Sequence, residues 1–252
     1  MHSRTVNSRP SAFGGSVVLL VATAFLLRPL EHRLAVPWYS GSVQAEQLGS
    51  LAGPGGVLAV LGGMRATVAS GFWLQANLAW ERRDSAATMA FVDLAVAADE
   101  RPAYFWLNGA RMLAYDLPEW TLPEPVPAAI RQRVVAGHAQ LALRFLEKGL
   151  RWHGPDAALY VEMGNINWRR ICDLEGAARC YRLAAEQPGA PYYAARIHGE
   201  LLRELGRPQE ALDWLRQVLP RLPADDPAAG RALVLARIQA LEQELGASQG
   251  VP

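Results

Sequence analysis

The feature that most constrains this chain is a partial self-repeat with a period of 34 to 35 residues. Residues 163–188 align with residues 198–223, so that Gly164 corresponds to Gly199 and Ala177 to Ala211. From Gly71 onward, apolar residues recur at three- and four-residue spacing with almost no strand-like alternation. A repeat of this length is typical of stacked helical units, none of which can bury its apolar face alone. The pattern therefore predicts an all-α array.

The residue types at the repeated positions resemble the tetratricopeptide repeat (TPR) family, in which each repeat is a pair of helices, A and B. The family's pattern places Gly and Ala where the two helices cross closely, larger side chains between repeats and a Pro after helix B. The clearest matches in this chain are Tyr160, Met163-Gly164, Ala177, Tyr181, Ala184 and Pro188, and then Gly199, Leu205-Gly206, Ala211, Leu215 and Pro223. The resemblance implies a TPR-like helical-hairpin solenoid over residues 69–246.

Two weaker copies precede the clear ones. Residues 72–102 are predicted to form a helix pair with its turn at Asp84 and its end at Asp99. Residues 102–118 read as a helix A, which a proline-rich insertion separates from a long helix running from about Pro127 to Trp152. Residues 226–246 are predicted to form one amphipathic capping helix, followed by a tail at 247–252. The array thus has about four repeats and a cap.

The N-terminal part of the chain has a different character. Eighteen residues without a charge lie between Arg9 and Arg28, which is just long enough for a transmembrane helix. We expect residues 1–35 to be an uncleaved signal anchor, with a cleaved signal peptide and a buried soluble helix as alternatives. Residues 36–68 are Gly-rich and are expected to form a membrane-proximal linker or short helix rather than a second span. This organisation predicts a single-pass protein of the bacterial inner membrane with an extracytoplasmic repeat domain.

The sequence offers no catalytic signature. The 25 basic and 24 acidic residues nearly balance, which argues against a nucleic-acid surface. The histidines are scattered and no phosphate-binding, nucleophile or zinc motif is present, so we expect no enzyme, no cofactor and no metal. Glu162 and His198 are expected to form an ordinary interhelix contact. Cys172 and Cys180 are interpreted as small apolar core residues, with a single disulfide between them as the alternative.

The resemblance also implies where a partner would bind, because TPR proteins use helix A to line a concave groove. At the corresponding positions this chain offers a mixed aromatic and charged set: Trp73, Asn77, Trp80, Asn165, Trp168, Arg169, Arg196, Glu200 and Arg203. The second repeat would contribute Ala103, Trp106, Ala110, Leu113 and Ala114. Asn-x-x-Trp occurs twice, an arrangement that suits an extended peptide because the amide can bond its backbone while the ring holds a side chain.

Alternatives to this groove remain open. Trp80 and Trp168 are also consistent with packing between helices, whereas Trp106 is expected in the core or beneath the Gly-rich segment. The charges on the fourth helix A are consistent with a solvated, self-paired face. The lysine-rich clamp of the family's chaperone-binding members is absent, since Trp73 stands where that clamp has a lysine.

The function predicted from these features is protein–protein interaction. The chain is expected to be a membrane-anchored adaptor or scaffold whose partner is another protein of an envelope-associated assembly. The first alternative is a permanent structural subunit of a larger membrane complex. An enzyme or small-ligand-binding protein is the less favoured alternative.

Overall fold

The computed structural model describes residues 64–122 and 125–249. The predicted signal anchor, most of the Gly-rich segment and the last three residues lie outside the described residues. The chain divides into two compact units, Met1–Gly71 and Phe72–Pro252. Within the described residues of the first unit, 65–71 are helical.

The described residues are helical and contain no strand. Three of the helices begin at an aspartate whose side chain accepts a hydrogen bond from a backbone N–H of the first turn: Asp84, Asp156 and Asp173. The helices are α1 (Arg65–Glu81), α2 (Ser85–Ala98), α3 (Ala103–Arg111), α4 (Leu117–Thr121), α5 (Ala128–His153), α6 (Ala157–Ile166), α7 (Leu174–Ala185), α8 (Tyr192–Glu204), α9 (Pro208–Val218) and α10 (Arg231–Gln249).

This order confirms the prediction of helices throughout the repeat region. The two clear repeats correspond to the pairs α6–α7 and α8–α9, and the inserted segment delays the long helix α5 as expected. The capping segment differs from the prediction. A 3₁₀ turn, Pro227–Ala229, precedes α10 and ends at Gly230, whose φ of 61° is left-handed and breaks the helix.

The apolar core is divided among consecutive helices. One cluster of buried residues is shared by α6, α7 and α8, and a second cluster is shared by α8, α9 and α10 together with the connecting segment before α10. In this part of the chain each helix packs mainly on the helices next to it in sequence. Stability therefore builds up from neighbour to neighbour along the chain.

A glycine recurs at the point where the first helix of a pair meets a large residue of the second. A Cβ on Gly164 would lie 2.9 Å from the Tyr181 ring, and a Cβ on Gly199 would lie 3.0 Å from Leu215. A Cβ on Gly109 of α3 would likewise meet Phe145 of α5 at 3.0 Å. In all three pairs the glycine faces a large side chain of the second helix, and at Gly109 the added Cβ would lie closer still to Val92 of α2, at 2.7 Å.

Helices α3 and α6 both end in a π-helical turn, Met112–Asp116 and Asn167–Ile171 respectively. The two turns are bridged by Arg170, whose Nε donates to the Ala114 carbonyl oxygen over 2.9 Å. Its guanidinium carbon also lies 5.2 Å from the centre of the Tyr115 ring. π-helical turns frequently occur at functional sites, and here they widen the ends of two neighbouring helices.

Neither cysteine forms a disulfide. Cys180 is buried, as expected of an apolar core residue, and Cys172 is exposed just after the π-helical turn of α6. The interpretation of Cys172 as a core residue was therefore wrong, because the turn that follows α6 carries it to the surface.

Within residues 64–122 and 125–249, no helix has both the length and the apolar character needed to cross a membrane.

Candidate binding groove

Two rows of side chains face each other between α3 and α6. Leu107 and Arg111 of α3 and Val161 of α6 line one cleft. The charges of Arg111 and Arg169 act on Tyr115, and Asn165 bonds Tyr181, which both Tyr115 and Arg169 also influence. The row on α3 is thus Leu107, Arg111 and Tyr115, and the row on α6 is Val161, Asn165 and Arg169. Leu107 and Arg111, and likewise Val161 and Asn165, are four residues apart on an α-helix and share one of its faces. The π-helical turns that follow carry Tyr115 and Arg169. We call the surface formed by these six residues the α3–α6 groove.

The groove deepens into a cleft of about 300 Å³ at its Leu107 end. The cleft lies between α3, the start of α6 and the segment that leads into α8. Residues that line it include Leu107, Arg111, Asp156, Ala158, Val161 and Tyr193. Three successive helix pairs thus contribute to one concave site, a common location for ligands in helical arrays.

An ion pair between Arg111 and Glu162 connects the two helices. The Arg111 Nη2 lies 2.8 Å and its Nε 2.9 Å from the same oxygen, Oε2 of Glu162. The Glu162 side chain is only 3% exposed, whereas that of Arg111 is 53% exposed. The arginine therefore neutralises a buried carboxylate with one edge and lines the open cleft with the rest of its guanidinium.

Two tyrosines add hydroxyl groups to the neighbourhood of the groove. The Tyr181 hydroxyl donates to Oδ1 of Asn165 over 2.7 Å. Burial raises the pKa of Tyr181 to about 12, although nearby Arg169 acts in the opposite direction. The pKa of Tyr115 is also raised, mainly by burial and to a lesser extent by the negative charge of Glu162. The surrounding arginines act in the opposite direction. Both phenols are therefore neutral at physiological pH, and the single O–H donor of Tyr181 is already used by Asn165.

The two arginines of the second π-helical turn have different environments. Arg169 is exposed, and its guanidinium carbon lies 5.9 Å from the centre of the Trp168 ring. Arg170 is held by the Ala114 carbonyl and by Glu119, whose Oε1 is 3.3 Å from Nη2. Of the two, Arg169 is thus the one that a partner could reach.

The predicted residues of the first repeat do not join this groove. Trp73 is 9% exposed and packs against Tyr104 and Phe105, with ring centres 5.4 and 5.3 Å away. The Asn77 amide donates to the Trp73 carbonyl of its own helix over 2.7 Å. The indole N–H of Trp80 donates to Asp116 over 2.8 Å, and the ring is 38% exposed.

The two Asn-x-x-Trp segments consequently have different environments. The Asn77 amide donates to a carbonyl oxygen of its own helix, whereas Asn165 accepts a hydrogen bond from Tyr181 on the next helix. Trp168 is half-buried and packs against the apolar cluster shared by α6, α7 and α8. Of the predicted set, the α3–α6 groove contains Asn165 and Arg169, with Trp168 beneath the latter.

The predicted charges on α8 form a network of their own. Glu200 bonds Arg203 at 2.6 Å on the same helix and Arg237 of α10 at 2.8 Å. Arg196 is half-buried, and its Nη1 would lie 2.8 Å from a Cβ on Gly230. This face is therefore at least partly self-paired and joins α8 to the capping helix.

The second repeat shows why sequence reasoning missed Arg111 and Tyr115. The groove positions implied for α3 by the family pattern are at most 7% exposed at Trp106, Ala110, Leu113 and Ala114. Leu107, Arg111 and Tyr115, which directly follow Trp106, Ala110 and Ala114, are the more accessible side chains. The signal in the sequence was the pair Arg111 and Tyr115, two polar side chains four residues apart that are flanked by the apolar residues Ala110 and Met112–Ala114.

The expected contact between Glu162 and His198 was wrong. Arg111 takes Glu162, and His198 is bonded instead through Nδ1 to the Ala178 carbonyl oxygen over 2.8 Å. Burial lowers the pKa of His198 to about 4, so the ring is neutral at physiological pH and donates to that carbonyl. His198 thus has a packing role between α7 and α8.

In the part of the chain that the structure describes, no group of three or more His, Cys, Asp or Glu side chains could hold a metal ion. No protein-family model matches the chain, and no curated protein matches it either.

Proposed function

We propose that this chain is a TPR-like helical-repeat protein that binds a segment of a partner protein in the α3–α6 groove. The observation that carries the proposal is the cleft of about 300 Å³ to which α3, α6 and the start of α8 all contribute. In a TPR-like array these three are the first helices of successive repeats, whose concave surface is where such proteins bind extended peptides.

The packing supports the TPR-like assignment. The pairs Gly109–Phe145, Gly164–Tyr181 and Gly199–Leu215 place a glycine against a large side chain at equivalent helix crossings. Shared apolar clusters between consecutive helices are also what a solenoid requires. In this proposal the N-terminal segment anchors the array at the bacterial inner membrane, and confinement there raises the effective concentration of the partner.

The test is site-specific photo-crosslinking of the full-length chain in cells that produce it. A photoreactive residue at Tyr193, which lines the cleft, is compared with one at Gln217, which is exposed on α9. We expect a defined cross-linked protein from position 193 and not from position 217. The same products from both positions, or none from position 193, would contradict the proposal.

A second candidate function, a permanent structural subunit, is favoured by the surface of α5. Ile130, Leu141 and Trp152 are 49%, 46% and 61% exposed. Their spacing of eleven residues is close to three helical turns, so they lie along one stripe. Exposed apolar side chains that share a helix face often mark interfaces, and here exposed Arg144 and Lys148 lie on the same face between Leu141 and Trp152. A photoreactive residue at Leu141 that cross-links nearly all copies of the chain to one protein in constant proportion would support this candidate.

A further inference from the structure

The accessible charges near the middle of the α3–α6 groove are cationic. Arg111 and Arg169 both expose their guanidinium groups, whereas the carboxylate near Arg111, Glu162, is buried and bonded to it. Among the described residues no carboxylate lies within ion-pair distance of Arg169, which is in contact with Trp168. Asp156 lies at the cleft end of α6, and its Oδ1 accepts a bond from the Leu159 N–H.

An apolar surface lies directly beside these cations. Leu107, Ala158 and Val161 line the cleft that Arg111 borders, and Tyr193 closes one side of it. A ligand could therefore place an apolar side chain in the cleft and a neighbouring acidic side chain against Arg111.

The spacing of the two arginines indicates how far apart two carboxylates of a ligand would be. Arg111 bonds Glu162, and Arg169 follows Glu162 by seven residues on α6 and its π-helical turn. Along the helix axis, at 1.5 Å per residue, this corresponds to roughly 10 Å, which lies between the roughly 7 and 13 Å that separate side chains two and four residues apart in an extended peptide.

We propose that the α3–α6 groove binds an acidic, extended segment of the partner protein, with one carboxylate at Arg111, a second at Arg169 and an apolar side chain in the cleft. This inference rests on the proposed function and names the chemistry of the partner. Arginine suits this role because its fork of N–H donors matches a carboxylate.

The experiment measures binding of labelled peptides to the full-length chain by fluorescence anisotropy. The probes are three twelve-residue peptides in which Leu alternates with Asp, with Asn or with Lys. We expect the Asp peptide to bind about tenfold more tightly than the Asn peptide, with the Lys peptide weakest. High salt should reduce the difference between the Asp and Asn peptides.

Variants locate the effect. Arg169→Gln should weaken Asp-peptide binding about threefold and leave Asn-peptide binding unchanged. Arg111→Gln is combined with Glu162→Gln, so that no buried carboxylate is left unpaired. Adding Arg169→Gln to that pair should abolish the preference for Asp over Asn. Arg216→Gln on α9 is the matched control, because its side chain is also 53% exposed and ion-paired.

Equal binding of the Asp and Asn peptides, tighter binding of the Lys peptide, or no binding of the Asp peptide overturns the inference. An equal loss of Asp-peptide affinity in Arg216→Gln and in Arg169→Gln also overturns the inference. Tighter binding of a single-stranded oligonucleotide would assign the arginines to a different class of ligand. If position 193 still cross-links a partner while the acidic preference is absent, the inference fails and the proposed function stands.

Discussion

Replacement of Gly164 by alanine tests the helix crossing on which the repeat architecture rests. The added Cβ would lie 2.9 Å from two carbons of the Tyr181 ring, a distance that requires one of the two groups to move. The ring has little freedom, because it is 1% exposed and its hydroxyl bonds Asn165. We therefore expect the substitution to push α6 and α7 apart.

The magnitude follows from two opposing terms. Alanine in a helix is favoured over glycine by about 1 kcal/mol, whereas overpacking a close contact costs about 1–3 kcal/mol. The matched control is Gly137→Ala in the exposed face of α5, where a Cβ meets nothing within 4 Å. Both variants gain the same helix propensity, so Gly164→Ala should be less stable than Gly137→Ala by about 1–3 kcal/mol.

The assay is urea denaturation of the full-length chain, followed by far-ultraviolet circular dichroism, with the free energy of unfolding taken at a common slope. A double-mutant cycle with Tyr181→Leu identifies the contact. When Tyr181→Leu is already present, the cost of Gly164→Ala should fall by at least about 0.5 kcal/mol, because the smaller side chain leaves room for the added Cβ. Equal stabilisation by Gly164→Ala and Gly137→Ala would refute the close crossing.

Three further outcomes are expected. The pKa of His198 falls from 6.5 to about 4 on folding, so the unfolded chain binds more protons between these pH values. The free energy of unfolding should therefore decline from pH 6.5 toward pH 4 by up to about 3 kcal/mol. Urea titrations at several pH values should show a shallower decline in His198→Gln. Iodoacetamide should label Cys172 in the native protein and Cys180 only after unfolding, since burial raises the pKa of Cys180 to about 11; labelling of both thiols at equal rates would contradict this. Ala211→Phe should lower the free energy of unfolding by about 1–3 kcal/mol, because Ala211 is 0% exposed, and a neutral result would place it away from the core.

Most of the helices could be predicted from the sequence because their signals are local. Asp84 and Asp156 cap helices through their own side chains, and Pro208 occupies the first turn of α9. The 35-residue offset between Gly164 and Gly199 indicated the pairing of helices, since the same close crossing needs the same small residue. The break before α10 was missed because Gly230 reads as a tolerated helical glycine until its left-handed φ is known.

The groove was predicted only in part, because it depends on helix rotation and on contacts between distant residues. Relative to the orientation that the family pattern implies, α3 is rotated by one residue. Trp106 is therefore buried, and Leu107 and Arg111 line the cleft instead. Residues 51 positions apart form the Arg111–Glu162 pair, which no periodicity could select over Glu162–His198.

By itself the sequence determined a chain of paired helices with a close crossing in each pair, because caps, turns and small residues act within one or two helical turns. Only the tertiary structure decided which faces of those helices meet and which remain accessible. How far each helix is rotated depends on contacts between residues far apart in the chain, such as Arg111 with Glu162 and Arg170 with Ala114, which no local signal specifies. That rotation leaves Arg111, Asn165 and Arg169 in one groove and encloses Trp73 in the core.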